Sequence, residues 1–283
     1  MPQNSKDREI DLRAAINAVS DVIQNRPRPL RENDQIYMKA ADMVLQSEFV
    51  ARWAAEKRLA FIGDGDAISV CVAYLVKRGI VENGPSKIVV YDFDERVCKA
   101  VARFADTERL ENLESKLYNV IDPMDAGTTF DCFYTNPPWG ASNDGLSVRL
   151  FMRRGMEAIQ YDGEGAVVIA DDHEIEWPQR VLANTQLFAL KSGFYVQRLM
   201  SRMHSYHLDD APNLRSCNLM LKSLPGTKSP GPSTAVTDAA ELENFYGRER
   251  KLAVKYVREK VRVDYGKAHD EEYVLERLEV GDE

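Results

Sequence analysis

Two carboxylates and two glycines stand together in Phe61-Ile62-Gly63-Asp64-Gly65-Asp66, at the end of a short apolar run. Glycine lets a backbone turn tightly and approach a ligand closely, so Gly63 and Gly65 predict a binding turn for a small cofactor. A plain strand-to-helix turn needs one capping Asp, whereas this one carries both Asp64 and Asp66. The sequence has no G-x-G-x-x-G or G-x-x-x-x-G-K-[ST] motif, and two carboxylates would repel phosphates. The turn therefore favours a cationic ligand, an amine or a sulfonium.

Two later acids also follow apolar runs. Asp92 lies in Tyr91-Asp92-Phe93-Asp94-Glu95-Arg96, where an acid at the end of a strand is placed to accept hydrogen bonds from ribose hydroxyls. Asp94 is interpreted as the cap of the next helix. Asp122, after Val120-Ile121, would lie near an adenine ring and accept from its exocyclic amine. A turn-forming Asp before Pro123 is the alternative interpretation.

The segment Tyr134-Thr135-Asn136-Pro137-Pro138-Trp139 has a distinctive composition. Paired prolines make the backbone rigid and remove two donors, which turns local carbonyl oxygens toward a ligand. Asn136 beside them completes an acceptor cradle for an amino group, and Trp139 can cover a cation or a flat base. We expect Pro137 to face the cofactor, and Pro138 and Trp139 to bind the substrate.

Ionisable residues follow a further apolar run in Asp171-Asp172-His173-Glu174. His173 and Glu174 are predicted to line the acceptor pocket or to hold a cationic amine, and a solvated loop is the alternative. No second cluster has the spacing of metal ligands, so no metal is expected. His204 and His207 receive no role.

These residues need a sheet that brings the strand ends together. From Arg58 onward, short apolar runs alternate with helical patterns, which is typical of a doubly wound, mostly parallel α/β sheet with helices on both faces. Because ligands bind beyond the carboxyl ends of such strands, we expect the acidic turns to meet at one edge. The seven runs predicted as strands are 59–62, 87–91, 117–120, 131–135, 166–170, 195–200 and 218–221, the last two as an antiparallel hairpin. Helices are predicted over 67–78, 95–105, 146–159 and 177–191.

Composition divides the chain into three parts. Residues 1–57 are predicted to be a helical preface, with helical apolar spacing over 10–24 and 34–56. Residues 58–223 are predicted to form a Rossmann catalytic domain. Residues 224–283 begin with the proline- and glycine-rich linker 224–233 and continue as a charged tail, predicted to be helical over 238–262.

Charge and composition exclude several classes of protein. A formal net charge of −8 over 283 residues gives no dominant basic face for duplex nucleic acid and suits a small cationic substrate. No apolar run is long enough to span a membrane, and the polar start is no signal peptide. The four cysteines lie far apart in apolar stretches, as buried thiols of a reducing cytoplasm do. We expect a cytoplasmic enzyme without nucleic-acid or membrane partners, with a homodimer as the candidate assembly.

Together the motifs resemble those of the branched-chain polyamine synthases, the bis(aminopropyl)spermidine synthases, which have the class I methyltransferase fold. The resemblance runs from about residue 31 to residue 223. It includes Asp34-Gln35, 63–66, 91–96, 131–139, 150–155 and His173-Glu174. Two motifs depart from the family pattern. Gly65 replaces the middle acid of the usual Gly-Asp-Asp-Asp, and Asn136-Pro-Pro-Trp139 stands where Asp-Pro-Pro-Tyr is usual.

The resemblance implies an aminopropyltransferase. Decarboxylated S-adenosylmethionine would be the co-substrate, and a polyamine such as spermidine would supply the attacking amine. Asp66 is then the base that accepts the proton of this amine, and Asp64 binds the donor's own amine or shares that role. Asn136 and the carbonyl oxygen of Pro137 would orient the attacking nitrogen.

Two other hypotheses stay open. Asn-Pro-Pro-aromatic is also the signature of methyltransferases that modify exocyclic or amide nitrogens. An S-adenosylmethionine-dependent N-methyltransferase, with Asn136 holding the target nitrogen and Trp139 stacked on a flat substrate, is therefore the alternative. A nucleoside-binding regulator without catalysis is the third hypothesis, and the intact motif at 136–139 argues against it.

Overall fold

The computed structural model describes residues 9–125, 127, 129–262 and 272–278. Seven strands within these ranges form one sheet: β1 Arg58–Ile62, β2 Lys87–Asp92, β3 Leu113–Leu117, β4 Cys132–Thr135, β5 Glu164–Ala170, β6 Phe194–Ser205 and β7 Arg215–Ser223. Their order is β3-β2-β1-β4-β5-β7-β6. The first five strands are parallel, and β7 runs antiparallel to both β5 and β6. The predicted doubly wound seven-stranded sheet with a final hairpin is confirmed.

Helices cover both faces of this sheet. They are α1 Leu12–Asn25, α2 Ala40–Trp53, α3 Ile68–Lys77, α4 Glu95–Glu108, α5 Leu146–Ala158 and α6 Glu176–Lys191. The first four pack on one face and the last two on the other, and strand side chains alternate between the two layers as the pleat requires. In β1, for example, Phe61 belongs to one hydrophobic cluster, whereas Ala60 and Ile62 belong to the other. No helix in the described ranges is long and apolar enough to cross a membrane.

Two glycines bring α5 and β5 close to one aromatic ring of β4. A Cβ atom on Gly155 would lie 2.3 Å from Cδ2 of Phe133, and one on Gly165 would lie 2.4 Å from its Cζ. The fully buried ring of Phe133 therefore fills space that only glycine leaves free. This close approach also places Phe151 of α5 next to the turn after β1, where a Cβ on Gly63 would lie 3.1 Å from its Cε1.

The third strand lies earlier in the sequence than predicted. β3 spans Leu113–Leu117 instead of 117–120. It is one of the two edge strands, with Leu113 buried and Glu114 and Lys116 exposed, so its composition is too polar to stand out as an apolar run. Val120 and Ile121 are buried in the loop that follows.

The tail contains a strand where a helix was predicted. Over 238–262 the described helix is the single turn α7 Ala239–Leu242, and β8 Val254–Glu259 pairs antiparallel with β9 Tyr273–Arg277. Pairing with β9 and contact with the end of β2, where the Val257 N–H donates to the Phe93 carbonyl at 3.1 Å, override the local helical preference of this charged segment. Residues 263–271 and 279–283 of the predicted tail lie outside the described ranges.

The preface contains both predicted helices, but the second begins later than expected. α2 starts at Ala40 rather than at Asp34. A three-residue 3-10 turn, Arg31–Asn33, ends at Asp34 in the left-handed conformation (φ 57°). Met38 then forms an isolated bridge with Tyr206. The chain between α1 and α2 is thus held in a non-helical path across the end of the sheet.

Candidate active site

A cavity of about 750 Å³, open to solvent, lies at the carboxyl ends of β1, β2 and β4. It is lined by four strand-end or preface segments and by single aromatic residues from elsewhere. The lining comprises 33–37, 63–66 with Ile68, Asp92-Phe93, Tyr134 with 136–139, and Phe151, Tyr206 and Tyr246. The predicted turns after the first, second and fourth strands therefore meet in one place.

The turn after β1 is held by its own first carboxylate. Gly63 adopts a φ of +76°, a conformation that favours glycine. Asp64 is 4% exposed and accepts hydrogen bonds from the backbone N–H groups of Ile68 at 2.9 Å and Ser69 at 3.1 Å, and from the Ser69 hydroxyl. Asp64 thus caps the start of α3. Burial raises the pKa of Asp64 well above the usual range, although the hydrogen bonds from Ser69 lower it.

The second carboxylate of this turn connects three parts of the site. Asp66 is 5% exposed, and its Oδ1 accepts from the Met38 N–H at 2.7 Å while Oδ2 accepts from Nδ2 of Asn136 at 2.8 Å. Nη1 of Arg26 lies 3.9 Å from Oδ1. Burial raises the pKa of Asp66, and the nearby guanidinium is the largest opposing influence. The predicted base and the predicted orienting amide are therefore in direct contact.

Asp92 occupies the end of β2, as expected for a ribose-binding acid. Its two carboxylate oxygens accept from the N–H groups of Asp64 and Asp94, each at 2.9 Å. Burial and the neighbouring charge of Asp94 raise the pKa of Asp92 to about 7. Asp94 caps α4 as predicted, and it also pairs with Arg96, whose Nη2 lies 2.6 Å from Oδ2.

The motif after β4 forms the opposite wall of the cavity. Asn136, Pro137, Pro138 and Trp139 all line it. The Trp139 ring meets the Tyr206 ring edge to face, with 4.9 Å between centroids and 88° between planes. The Tyr206 hydroxyl hydrogen-bonds Ser216 at 2.9 Å and also interacts with the Asn136 side chain. The Asn136 amide is thus held by the Asp66 carboxylate, and the Tyr206 hydroxyl lies nearby.

Several lining residues were missed from the sequence. Asn33, Asp34 and Tyr37 of the preface contribute to the wall, and Tyr246 reaches it from the tail. Asp34-Gln35 belonged to the family resemblance, which was the one available signal for this segment. Tyr246 had none, because the tail showed no motif.

Three predicted site residues lie outside the cavity lining. Asp122 is half-buried in the loop after β3 and accepts from the Tyr256 hydroxyl at 3.2 Å. His173 and Glu174 are exposed after β5, with Nδ1 of His173 3.5 Å from Nη1 of Arg202. The structure therefore does not bring these three residues together with the others, and their binding roles stay predictions. The described part of the chain contains no group of three or more His, Cys, Asp or Glu residues arranged to hold a metal ion.

The strand order and the position of the cavity define a methyltransferase-like Rossmann fold. An RNA methyltransferase candidate of Pyrococcus horikoshii superposes with a TM-score of 0.56 at 13% identity, over 75% of this chain and 98% of that one. The branched-chain polyamine synthase of Thermus thermophilus, solved with N4-aminopropylspermidine and 5'-methylthioadenosine, superposes with a TM-score of 0.67 at 21% identity, over 82% of this chain and 70% of that one.

A comparison of the sequence with family models identifies the family. The family model for the C-terminal domain of branched-chain polyamine synthase A matches residues 14–279. The chain therefore belongs to the branched-chain polyamine synthase family, as its motifs indicated.

Two curated archaeal relatives match about half of the chain. One is the N(4)-bis(aminopropyl)spermidine synthase of Thermococcus kodakarensis, 29% identical over 147 residues, which are 50% of this chain and 39% of that protein. The other is an uncharacterized protein of Methanocaldococcus jannaschii, 30% identical over 152 residues, which are 53% of this chain and 34% of that protein. The matched part thus spans well under half the length of these relatives.

Proposed function

We propose that this protein transfers the aminopropyl group of decarboxylated S-adenosylmethionine to an amine nitrogen of a polyamine such as spermidine. The curated relative from Thermococcus kodakarensis is an N(4)-bis(aminopropyl)spermidine synthase. The Thermus thermophilus structure holds N4-aminopropylspermidine and 5'-methylthioadenosine. One aminopropyl transfer to spermidine would release these two molecules.

The acidic composition of the cavity wall is the observation that carries this proposal. Four aspartates line the cavity, namely Asp34, Asp64, Asp66 and Asp92, and no lysine, arginine or histidine of the described residues does. The carboxylate of S-adenosylmethionine would meet these acids without a cation to balance it, whereas the decarboxylated donor presents only positive charge. A polyamine is likewise cationic. The wall therefore supports a cationic donor and a cationic acceptor.

The proposed reaction is a displacement at carbon. The lone pair of the amine nitrogen attacks the carbon next to the sulfonium, the carbon–sulfur bond breaks, and 5'-methylthioadenosine leaves with the bonding electrons. The new ammonium must lose a proton, and Asp66 would accept it. Because Nδ2 of Asn136 binds Asp66, a nitrogen held by the Asn136 amide oxygen and the Pro137 carbonyl would lie beside that carboxylate.

Nucleoside binding is assigned to the β2 side of the cavity. Asp92 would accept from the ribose hydroxyls. Phe93 and Tyr246 are stacked there, with 6.1 Å between ring centroids and 25° between planes, and they would contact the adenine ring. Gly63 and Gly65 allow the backbone to approach the nucleoside closely, and Asp64 would bind the amine of the donor.

The test compares two donors with one acceptor. Purified protein is incubated with spermidine and either decarboxylated S-adenosylmethionine or S-adenosylmethionine, and the polyamines are analysed by mass spectrometry. We expect aminopropyl additions with the decarboxylated donor only. Methyl additions, or no addition to any polyamine tried, would contradict the proposal.

Methyl transfer to a nitrogen is the second candidate, and one observation favours it. Asn136 stands where polyamine synthases usually carry an acid, and Asn-Pro-Pro-aromatic motifs occur in N-methyltransferases. In that case S-adenosylmethionine would be the donor, and Trp139 would cover a flat substrate. The same pair of incubations, repeated with nucleobase acceptors, separates the two activities.

A further inference from the structure

The segment 30–37 crosses the mouth of the cavity between α1 and α2. Its path is fixed at both ends: the Leu30 N–H donates to Oε1 of Gln35 at 2.8 Å, and the Tyr37 hydroxyl donates to the Pro27 carbonyl at 2.8 Å. Nε2 of Gln35 donates to Oδ2 of Asp94 at 3.1 Å, which ties the segment to the end of β2. The segment is therefore a defined wall of the site and presents the side chains of residues 33 and 34 in fixed positions.

Asn33 carries an unused donor in this wall. The residue is 5% exposed and lines the cavity, and its Nδ2 has no hydrogen-bond partner among the described residues. Buried amide groups without a partner are uncommon because the lost hydrogen bonds to water are not replaced. A ligand atom that accepts a hydrogen bond would satisfy this donor.

Asp34, the next residue, faces the cavity on the side of Trp139. Charged and titratable groups around it are Arg31 of the same segment and Arg250 and Tyr246 of the tail. Arg31 pairs instead with Asp210 at 3.7 Å, and Nη1 of Arg250 donates to a backbone carbonyl. Within the described residues, the Trp139 backbone N–H lies close enough to the Asp34 carboxylate to stabilise its charged form. This leaves most of its accepting capacity free.

The other three acids of the wall are more fully engaged. Asp64 caps α3, Asp92 accepts two backbone N–H groups, and Asp66 accepts from a backbone N–H and an amide. Each of these carboxylates holds protein groups in place. Asp34 therefore has the most spare capacity for the hydrogen bonds of an incoming cation.

We propose that Asp34 binds a non-reacting ammonium group of the polyamine acceptor, and so selects which nitrogen reaches the transferred carbon. This inference rests on the proposed function and adds to it a residue that determines acceptor specificity. A polyamine has several nitrogens separated by short alkyl chains. Fixing one of them as an ammonium at Asp34 limits which other nitrogen can enter the cradle of Asn136 and Pro137.

The experiment measures binding rather than turnover. Spermidine and 5'-methylthioadenosine are titrated separately by calorimetry into the wild-type chain, Asp34→Asn and the control Asp210→Asn. Asp210 is an acid near the same arginine whose side chain is 81% exposed and does not line the cavity. We expect Asp34→Asn to weaken spermidine binding about tenfold to a hundredfold, the usual effect of losing a charge-assisted hydrogen bond. The affinity of Asp34→Asn for 5'-methylthioadenosine should change less than about twofold. The affinities of Asp210→Asn for both ligands should also stay within about twofold of wild type.

The outcomes separate this inference from the proposed function. Wild-type spermidine affinity in Asp34→Asn, with aminopropyl transfer intact, would overturn the role of Asp34 alone. An equal loss of nucleoside and spermidine affinity would overturn it as well, because it would indicate general damage to the site. A wild-type chain that binds no polyamine would overturn the proposed function and this role with it.

The pH dependence of spermidine affinity gives a second test of the same role. Burial raises the pKa of Asp34 to about 6, against the opposing influence of the two arginines and the Trp139 N–H. Spermidine stays protonated in this range. The carboxylate is charged above its pKa and neutral below it, so spermidine affinity should fall as the pH drops through about 6. Asp92, with a pKa of about 7, titrates in wild type and variant alike. A fall of the same size in Asp34→Asn would contradict the assignment.

Discussion

Replacing the predicted base by its amide, Asp66→Asn, keeps the shape of the side chain and removes its charge. The carboxylate accepts hydrogen bonds from two donors, the Met38 N–H at 2.7 Å and Nδ2 of Asn136 at 2.8 Å. An amide has one accepting and one donating end. Whichever way it turns, one of the two hydrogen bonds is lost and its NH2 group faces another donor.

The size of the effect on folding follows from two opposing contributions. Losing a hydrogen bond to a charged group costs about 1.5–3 kcal/mol. Removing a buried carboxylate offsets part of this cost, because burial disfavours the ionised form of Asp66 and raises its pKa. We expect a net loss of about 1–2 kcal/mol in the free energy of unfolding, so the variant should fold. Turnover should fall about a hundredfold or more, since a general base typically contributes that much.

Three measurements test this prediction together. Aminopropyl transfer is followed by mass spectrometry, binding of 5'-methylthioadenosine by calorimetry, and folding by urea denaturation. The matched control is Asp131→Asn, because Asp131 also accepts a backbone N–H at 2.7 Å, from Arg58, but at the opposite end of β1. It should keep wild-type turnover. Turnover of Asp66→Asn within about threefold of wild type would remove this carboxylate from the proton transfer.

Three further substitutions have distinct expected results. Asp92→Asn removes the charged ribose acceptor and should weaken 5'-methylthioadenosine binding about tenfold in calorimetry. Gly155→Ala places a Cβ 2.3 Å from the buried ring of Phe133 and should lower the free energy of unfolding by about 1–3 kcal/mol in urea. Asn136→Asp puts a second carboxylate beside Asp66 and removes the amide hydrogen bond to it, so the higher of the two macroscopic pKa values of the pair should rise. The acidic limb of the turnover–pH profile should therefore move to higher pH.

Each of these has a contrary result, and Gly155→Ala also has a control. Gly231→Ala adds a Cβ with no atom within 4 Å, so it should leave stability unchanged, and equal stability of both alanine variants would contradict the packing argument. Unaltered nucleoside affinity in Asp92→Asn would argue against a ribose contact. An unmoved pH profile in Asn136→Asp would mean that the two side chains do not share the proton-transfer step.

Sequence patterns were sufficient to predict the strands whose side chains are nearly all buried. The buried strands β1, β2, β4 and β5 are continuous apolar runs, and the turns after β1, β2 and β4 carry the residues that meet in the cavity. Hydrophobic periodicity failed for the edge strand β3, whose Glu114 and Lys116 face solvent. That displacement also moved Asp122 from a presumed strand end into a loop.

Contacts between distant segments could not be read from local patterns. β8 pairs with β9 and lies against α4, and these contacts rather than local propensity decide its conformation. Asp34 reaches the cavity because a left-handed residue delays the start of α2. Tyr246 reaches it because the tail returns across the end of the sheet. The positions of these residues depend on contacts with distant segments, which the local sequence pattern does not show.

The mouth of the cavity joins parts of the chain that are far apart in sequence. Glu32 accepts from Arg250 Nη1 through its carbonyl at 3.4 Å and from the Tyr273 hydroxyl through its side chain at 3.3 Å, across 218 and 241 residues. Both hydrogen bonds are long and exposed, so they contribute little stability, and this junction should open before the sheet does under mild denaturant. Amide hydrogen exchange should accordingly be faster in 30–37 than in β1. The sheet would then stay folded under conditions in which the junction at 30–37 has already opened.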